Sequence, residues 1–357
     1  MAGVIGVFRY ANPPTIYWGA RSIDKLHDEC QRLGIQRPFV VTTQSITKNG
    51  VLTRVLKALD AELAVEPALV GQHAPQADVD HAVERARAAQ ADGVLSVGGG
   101  SPIDAAKIVA LELGAKPHIA VPTTLSVAEL APSAGVTDVS GQKGGKRDAR
   151  LTPSAVIYDA ELALHTPIEL WLSTGIRALD HAVETILEPG EHPYPDTLAL
   201  EGIRRLFASL PRTKARPGVL DLRTENQLGA WFSYSLPKAA GGLSHMLGKQ
   251  IGSPFGIPHG VTSCLLLPHV MRYRARAQAD RLALMAPAMG VGRNGASADE
   301  LASAGADAVY GLIRRLGLPQ HLAAYRLTDD QLRSAAAPLA GKDHSLEDLL
   351  AIYRAAA

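Results

Sequence analysis

Three consecutive glycines, and three histidines that each have glycine nearby, are the residues of this chain whose types and spacing could do chemistry. The run Val97-Gly-Gly-Gly-Ser-Pro-Ile-Asp-Ala-Ala-Lys107 reads as the end of a buried strand, a glycine turn and the start of a helix. Glycine admits positive φ and lets backbone N–H groups come close to an anion. A helix N-terminus adds unpaired N–H groups and the positive end of its dipole. Such a turn suits a pyrophosphate, although a plain tight strand-to-helix turn has the same composition. The spacing predicts Ser101 as N-cap, Pro102 as first helical residue and Asp104 at the third position. Lys107 is read either as a helix-surface residue or as a phosphate contact. The run is not a GxGxxG followed by an acidic residue about 20 positions on, so a standard Rossmann fingerprint is not present. Pro122-Thr-Thr124 follows the next strand. Beside a glycine run, its two hydroxyls read as ligand contacts at the crevice rather than as turn residues.

The histidines number twelve. His27, His81, His192, His321 and His344 sit in polar or helix-surface contexts and are expected to be solvated. His181 lies in Ser173-Thr-Gly-Ile-Arg-Ala-Leu-Asp-His-Ala-Val-Glu184, His245 in Gly241-Gly-Leu-Ser-His-Met-Leu-Gly-Lys249, and His259 in Phe255-Gly-Ile-Pro-His-Gly260. Taken singly, each is more often a structural residue than a ligand.

The elements that must position these residues follow from patterning. Pro38–Thr43, Gly93–Val97, Ile119–Val121 and Ala155–Tyr158 are compact apolar or β-branched runs, expected as buried strands. Val79–Gln90 has apolar residues at helical spacing. Strands separated by helices imply βαβ units and a parallel sheet. From about Thr166 helical patterns dominate, at Leu198–Leu210, Asp299–Leu316 and Ser345–Ala357. The expected fold is α/β followed by all-α: a parallel-sheet nucleotide-binding domain over residues 1–161, then an all-helical domain over 162–357. A chain of 357 residues accommodates two such domains.

Composition narrows the function classes. A net charge of +1 gives no reason to expect nucleic acid or anionic lipid as a partner. Two cysteines in no CxxC pattern exclude a disulfide scaffold and a cysteine-rich zinc site. No apolar run reaches the roughly 18 residues of a membrane span. The first residues show no basic region before a long apolar stretch, so a cytoplasmic location is expected.

The ordered set GGGSPIDAAK (98–107), PTT (122–124) and PHG (258–260) resembles the iron-containing, or group III, alcohol dehydrogenases, which include the maleylacetate reductases. The resemblance runs from Tyr17-Trp-Gly19 to the helical tail. It implies a dehydroquinate synthase-like architecture, NAD(P)H as cofactor and a homodimer. Gly98, Gly99, Gly100, Ser101 and Asp104 would line the nucleotide diphosphate, with Thr43, Thr123 and Thr124 as further cofactor residues. His181, His245 and His259 would be the ligands of a divalent metal, iron or zinc, if one is bound.

The departures from that family are informative. Metal-dependent members usually carry an Asp four residues before the first ligand His; here that position is Arg177. A further family His, four residues after the next ligand, is Lys249. Three histidines with Arg177 and Lys249 make a poor site for a dication and a good one for an anion. The leading expectation is therefore a metal-independent NAD(P)H-dependent oxidoreductase acting on a small, anionic carbonyl substrate. Its catalytic residues are His245, His259, Arg177 and Lys249, with His245 first for proton delivery. Arg177 is expected to act on substrate rather than on the fold. Its alternative is a salt bridge to Glu184 or Asp180, with the histidines still holding a metal. Other readings are a metal-dependent dehydrogenase of neutral alcohols, a dehydroquinate synthase-like lyase and a catalytically silent nucleotide-binding protein. The five residues Leu125–Glu129 after PTT, a loop at Lys143–Asp148 and Val156–Asp159 look most like the maleylacetate reductase branch, which usually has Asn at position 177 and PHA for PHG.

The stretch Val41-Thr-Thr-Gln-Ser45 carries no acidic residue to repel a 2′-phosphate and no cation to demand one. Comparable kcat/KM values for NADPH and NADH are therefore expected in steady-state kinetics. Strong exclusion of NADPH would overturn that expectation.

Overall fold

The computed structural model describes residues 13–138, 141, 143–190, 192–235 and 242–357. The leader expectation rests on residues outside that set. The first six strands to consider are β1 (Thr15–Gly19), β2 (Pro38–Thr42), β3 (Ala68–Leu69), β4 (Gly93–Gly98), β5 (His118–Pro122) and β8 (Ala155–Asp159). They form one parallel sheet in the order β1-β8-β5-β4-β2-β3. Strands β2, β4, β5 and β8 are buried throughout, which is why each reads as a continuous apolar run rather than an alternation. The four strands expected from the sequence are all present. The edge strands β1 and β3 give no such run, because one is half-covered and the other has two residues.

The chain steps outward from β2 to β3 and then returns to place β4 on the other side of β2. That reversal is the switch point where open parallel sheets bind ligands. Thr43 follows β2 there, and Gly98–Gly100 follow β4. Gly98 has φ +138°, a conformation glycine alone adopts easily. Helix α5 (Gly100–Glu112) starts directly after. Its N-cap is Gly99, with no side-chain cap, so the expectation for Ser101 is corrected. Ser101 lies inside the first turn, and its hydroxyl accepts the His73 N–H at 2.9 Å.

Lys107 is neither on the surface nor free for a phosphate. It is fully buried, and its Nζ donates to the carbonyl oxygens of Ala128, of Ala131 at 2.6 Å and of Ser133 at 3.0 Å. Burial pulls its ammonium down to about 8, against the opposing charges of Asp104 and Glu129. Lys107 thus pins the segment that follows Thr123 and Thr124 onto α5. The expected loop at Lys143–Asp148 is instead mostly a strand. β7 (Lys143–Arg147) pairs antiparallel with β6 (Ser133–Thr137), from Ser133↔Arg147 to Thr137↔Lys143. Its glycines and charges lack the apolar signal of a strand because most of its side chains are exposed.

From Ile168 onward the described structure is helical. Helix α7 (Ile168–Leu187) is buried from Trp171 to Leu187 on every side. Helices α8 (Pro193–Ala215), α9 (Leu220–Ser233), α10 (Leu243–Gly252), α11 (His259–Ala283) and α12 (Ala298–Leu316) follow, and α14 (Leu346–Ala355) closes the chain. Leu179, Ile186, Leu206, Leu267 and Leu312 belong to one core cluster shared by α7, α8, α11 and α12. Among the described residues, no helix is long and apolar enough to cross a membrane.

Lys107→Met is expected to lower the unfolding free energy by roughly 2–3 kcal/mol, because three buried carbonyls lose a charged donor while relief of ammonium burial offsets part of that loss. Urea unfolding measures it. An unchanged midpoint would show that the clamp carries no stability.

Candidate active site

Helix α7 has no solvent side, so every polar group on it needs a protein or ligand partner. Arg177, Asp180, His181 and Glu184 recur at three- and four-residue spacing, which places them within two turns on neighbouring faces. Asp180 is fully buried and Arg177 is 2% exposed. Arg177 Nη1 donates to Asp180 Oδ2 at 3.0 Å and to Ser263 Oγ at 3.1 Å. Ser263 of α11 and Ser244 of α10 also donate to Asp180 Oδ2, at 2.6 and 2.9 Å. Burial pushes the Asp180 carboxyl up, while Arg177 and the two serine hydroxyls pull it back. Glu184 Oε1 accepts the backbone N–H of His245 at 2.9 Å. Burial, and then the neighbouring Asp180, hold the Glu184 carboxyl well above the usual carboxylate range.

Small residues let the histidine-bearing helices come close. A Cβ on Gly260 would lie 2.8 Å from the Ser173 carbonyl carbon, so only glycine lets the start of α11 cross α7 here. The result is a row of rings. His181 and His245 are 6.0 Å apart between centroids, and His245 and His259 are 5.1 Å apart. Lys249 lies one turn after His245 in the last turn of α10. The side chains of His181, His245, His259 and Arg177 expected at the site are therefore brought to one place by α7, α10 and α11, and Lys249 extends the same helix.

Tyr234, just after α9, was not anticipated. It is buried edge-on to His181 at 5.3 Å, and burial pushes its hydroxyl up to about 12. Buried polar atoms without a partner among the described residues gather here: Arg177 Nη2, His181 Nδ1, His245 Nδ1, Tyr234 Oη and Glu184 Oε2. Burial, with Arg177 next, holds the His181 imidazole well below its ordinary value, so it is neutral at pH 7.

The glycine turn reaches this cluster through one connection. Thr123 N–H donates to Gly98 O at 2.8 Å, and the Thr123 carbonyl accepts from Thr166 Oγ1 at 2.6 Å. A Cβ on Gly99 would meet the Thr124 methyl at 3.1 Å, so Thr124 walls the turn. Leu125 N–H donates to Thr174 Oγ1 at 3.1 Å. From Thr174 to His181 is seven residues of helix, about 10 Å. Thr43 hydrogen-bonds Ser45 between side-chain oxygens at 3.0 Å, at the switch point.

Two groups can be tested against these residues. A dinucleotide fits: the turn has glycine where φ is positive, and the first turn of α5 has no side-chain cap competing for its N–H groups. A dication fits poorly. Among the described residues, no three His, Cys, Asp or Glu groups are arranged to hold one. Asp180 is committed to Arg177 and two serines, and Glu184 to the α10 backbone.

The family described as iron-containing alcohol dehydrogenase matches residues 13–160, and its C-terminal part matches residues 171–350. The chain belongs to the iron-containing alcohol dehydrogenase family. It is an oxidoreductase. A maleylacetate reductase of Pseudomonas knackmussii is 34% identical over 278 residues, 78% of either chain. A maleylacetate reductase of a Rhizobium species is 33% identical over 326 residues, 91% of this chain and 88% of its own. The crystal structure of maleylacetate reductase from Agrobacterium tumefaciens superposes with a TM-score of 0.84 at 29% identity, covering 99% of this chain and 98% of that one. Members of this family generally use NAD(P) and iron.

The salt bridge to Asp180, the alternative partner for Arg177, is present, and both side chains are buried. Arg177→Ala is expected to cost about 3–5 kcal/mol of stability, because it strands a buried carboxylate. Denaturant unfolding measures it. A variant with wild-type stability would show that the ion pair contributes nothing to folding.

Proposed function

We propose that this chain is similar to a maleylacetate reductase in reducing the carbonyl of a small carboxylate-bearing substrate with NAD(P)H, and that it does so without a metal. The observation that carries the reading is the Arg177 guanidinium in the histidine row, fixed by Nη1 and with Nη2 lacking a partner among the described residues. A planar donor held in this way suits a carboxylate or a developing alkoxide. The two maleylacetate reductase relatives and the maleylacetate reductase structure support the substrate class.

In this reading Gly98, Gly99 and Gly100 receive the pyrophosphate with the α5 N-terminus, and Thr43, Thr123 and Thr124 flank it. Ser101 supports the turn through His73. Asp104 sets the charge beside Lys107. The bound nicotinamide supplies the hydride that the carbonyl carbon takes up. Arg177 Nη2 and the neutral His181 donate hydrogen bonds to the substrate anion. His245 delivers the proton to the alkoxide oxygen, and His259 orients His245 edge-on. Lys249, one turn beyond His245, adds positive charge that draws the anion in. Ketone, NAD(P)H and one proton give alcohol and NAD(P)⁺.

A homodimer is the proposed assembly. Trp18 on the outer strand β1 is 54% exposed beside Trp231, which supports burial against a second copy. A metal-dependent dehydrogenase of neutral alcohols is the second reading, favoured by the unpartnered ring nitrogens of His181 and His245.

The deciding assay follows NADPH oxidation with a keto-dicarboxylate and with its neutral diester, before and after chelation, alongside metal analysis. Turnover of the acid alone, unchanged by chelator, is expected. One bound metal per chain whose removal abolishes activity would hand the site to the second reading.

A further inference from the structure

We propose that Glu184 is a positioning residue: its carboxyl group, supplied by α7, caps the N-terminus of α10 and so fixes His245 in the active site. The role assigned to His245 rests on the function proposed above. Helix α10 begins at Leu243, its N-cap is Gly242, and no side chain of its own caps it. A helix start leaves its first N–H groups without partners. Here Glu184 Oε1 takes the N–H of His245, the third residue of the helix, at 2.9 Å. The Ser244 backbone N–H also acts on this carboxyl group. An external acceptor at the second and third positions does what an Asp or Ser side chain does at an ordinary N-cap.

Gly242 supports the same reading from the other side. A Cβ there would overlap the Glu184 carboxyl group. A side chain at the cap position would have to displace this carboxyl group, and with glycine there the acceptor comes from α7. A second tie acts one residue away, where Ser244 Oγ donates to Asp180 Oδ2 at 2.9 Å. Residues 244 and 245 are thus held by two carboxyl groups one turn apart on α7. The capped amide belongs to His245 itself, so the cap sets where its imidazole stands between His181 and His259.

Three variants test this: Glu184→Gln, Glu184→Leu and Gly242→Ala. Gln keeps a carbonyl oxygen as acceptor, Leu removes it, and Ala displaces it with residue 184 still a glutamate. Amide hydrogen exchange at Ser244 and His245 reads the cap without reference to any reaction. Leu and Ala are expected to lose protection at these amides, with kcat lower by tenfold or more and KM for the nucleotide unchanged. Gln is expected to keep protection and a kcat within about threefold of wild type. If Leu is insoluble, Gly242→Ala carries the same comparison. Retained protection and kcat in the Leu or Ala variant would overturn the proposal, and so would a Gln variant as impaired as Leu. A wild-type protein inactive on the keto-acid with intact protection differences would fault the proposed function and leave the cap standing.

Discussion

One carboxylate oxygen joins three helices. Asp180 Oδ2 receives Arg177 from its own helix, Ser244 from α10 and Ser263 from α11. Each of those helices carries one of the three histidines. The bonds are charge-assisted and fully buried, the regime in which a hydrogen bond is strongest and its loss most costly. Apolar packing alone would leave α10 and α11 free to slide on α7 by fractions of a turn. A single acceptor with three donors fixes the registers together.

The same pairing decides the charge of the site. A guanidinium that is 2% exposed would be prohibitively costly alone. Asp180 compensates it within one turn, so the pair adds little net charge to the cleft. The neighbouring groups respond as a dry site requires. His181 is held neutral, Glu184 is pushed towards its protonated form and the Tyr234 hydroxyl stays protonated. What remains is a set of donors and acceptors with few free charges. Such a set recognises a polar ligand by direction more than by bulk attraction.

The central strands, the glycine turn, the helical second half and the three histidines were legible in the sequence, because buried parallel strands and strand-to-helix turns have local signatures. What was not legible is non-local. Asp180 points about 100° away from His181, which on the sequence alone makes it a poor ligand and says nothing of its partners. Those partners lie 64 and 83 residues further along the chain. Lys107 has the look of a surface lysine on a helix beside a phosphate turn. Its acceptors are backbone carbonyls 21 to 26 residues on, which no side-chain pattern encodes. Helix α7 hides its plan because it is buried all round, so no amphipathic stripe separates core from site. Glu184 is missed for the same reason: its partner is an amide, and amides have no sequence.

The division of labour within one side chain explains why position 177 suits arginine and not lysine. A lysine ammonium is a compact point charge on a flexible stem. If it paired with Asp180, nothing rigid would remain to face a ligand. A guanidinium is planar, and fixing one amino group fixes the other. Nη1 is tied to Asp180 and Ser263, so the direction of Nη2 is set by the fold before any ligand arrives. In the proposed reaction negative charge develops on the carbonyl oxygen, and donors already oriented stabilise it without reorganising. The ion pair within α7, tied to α11 through Ser263, is then also the device that aims the donor.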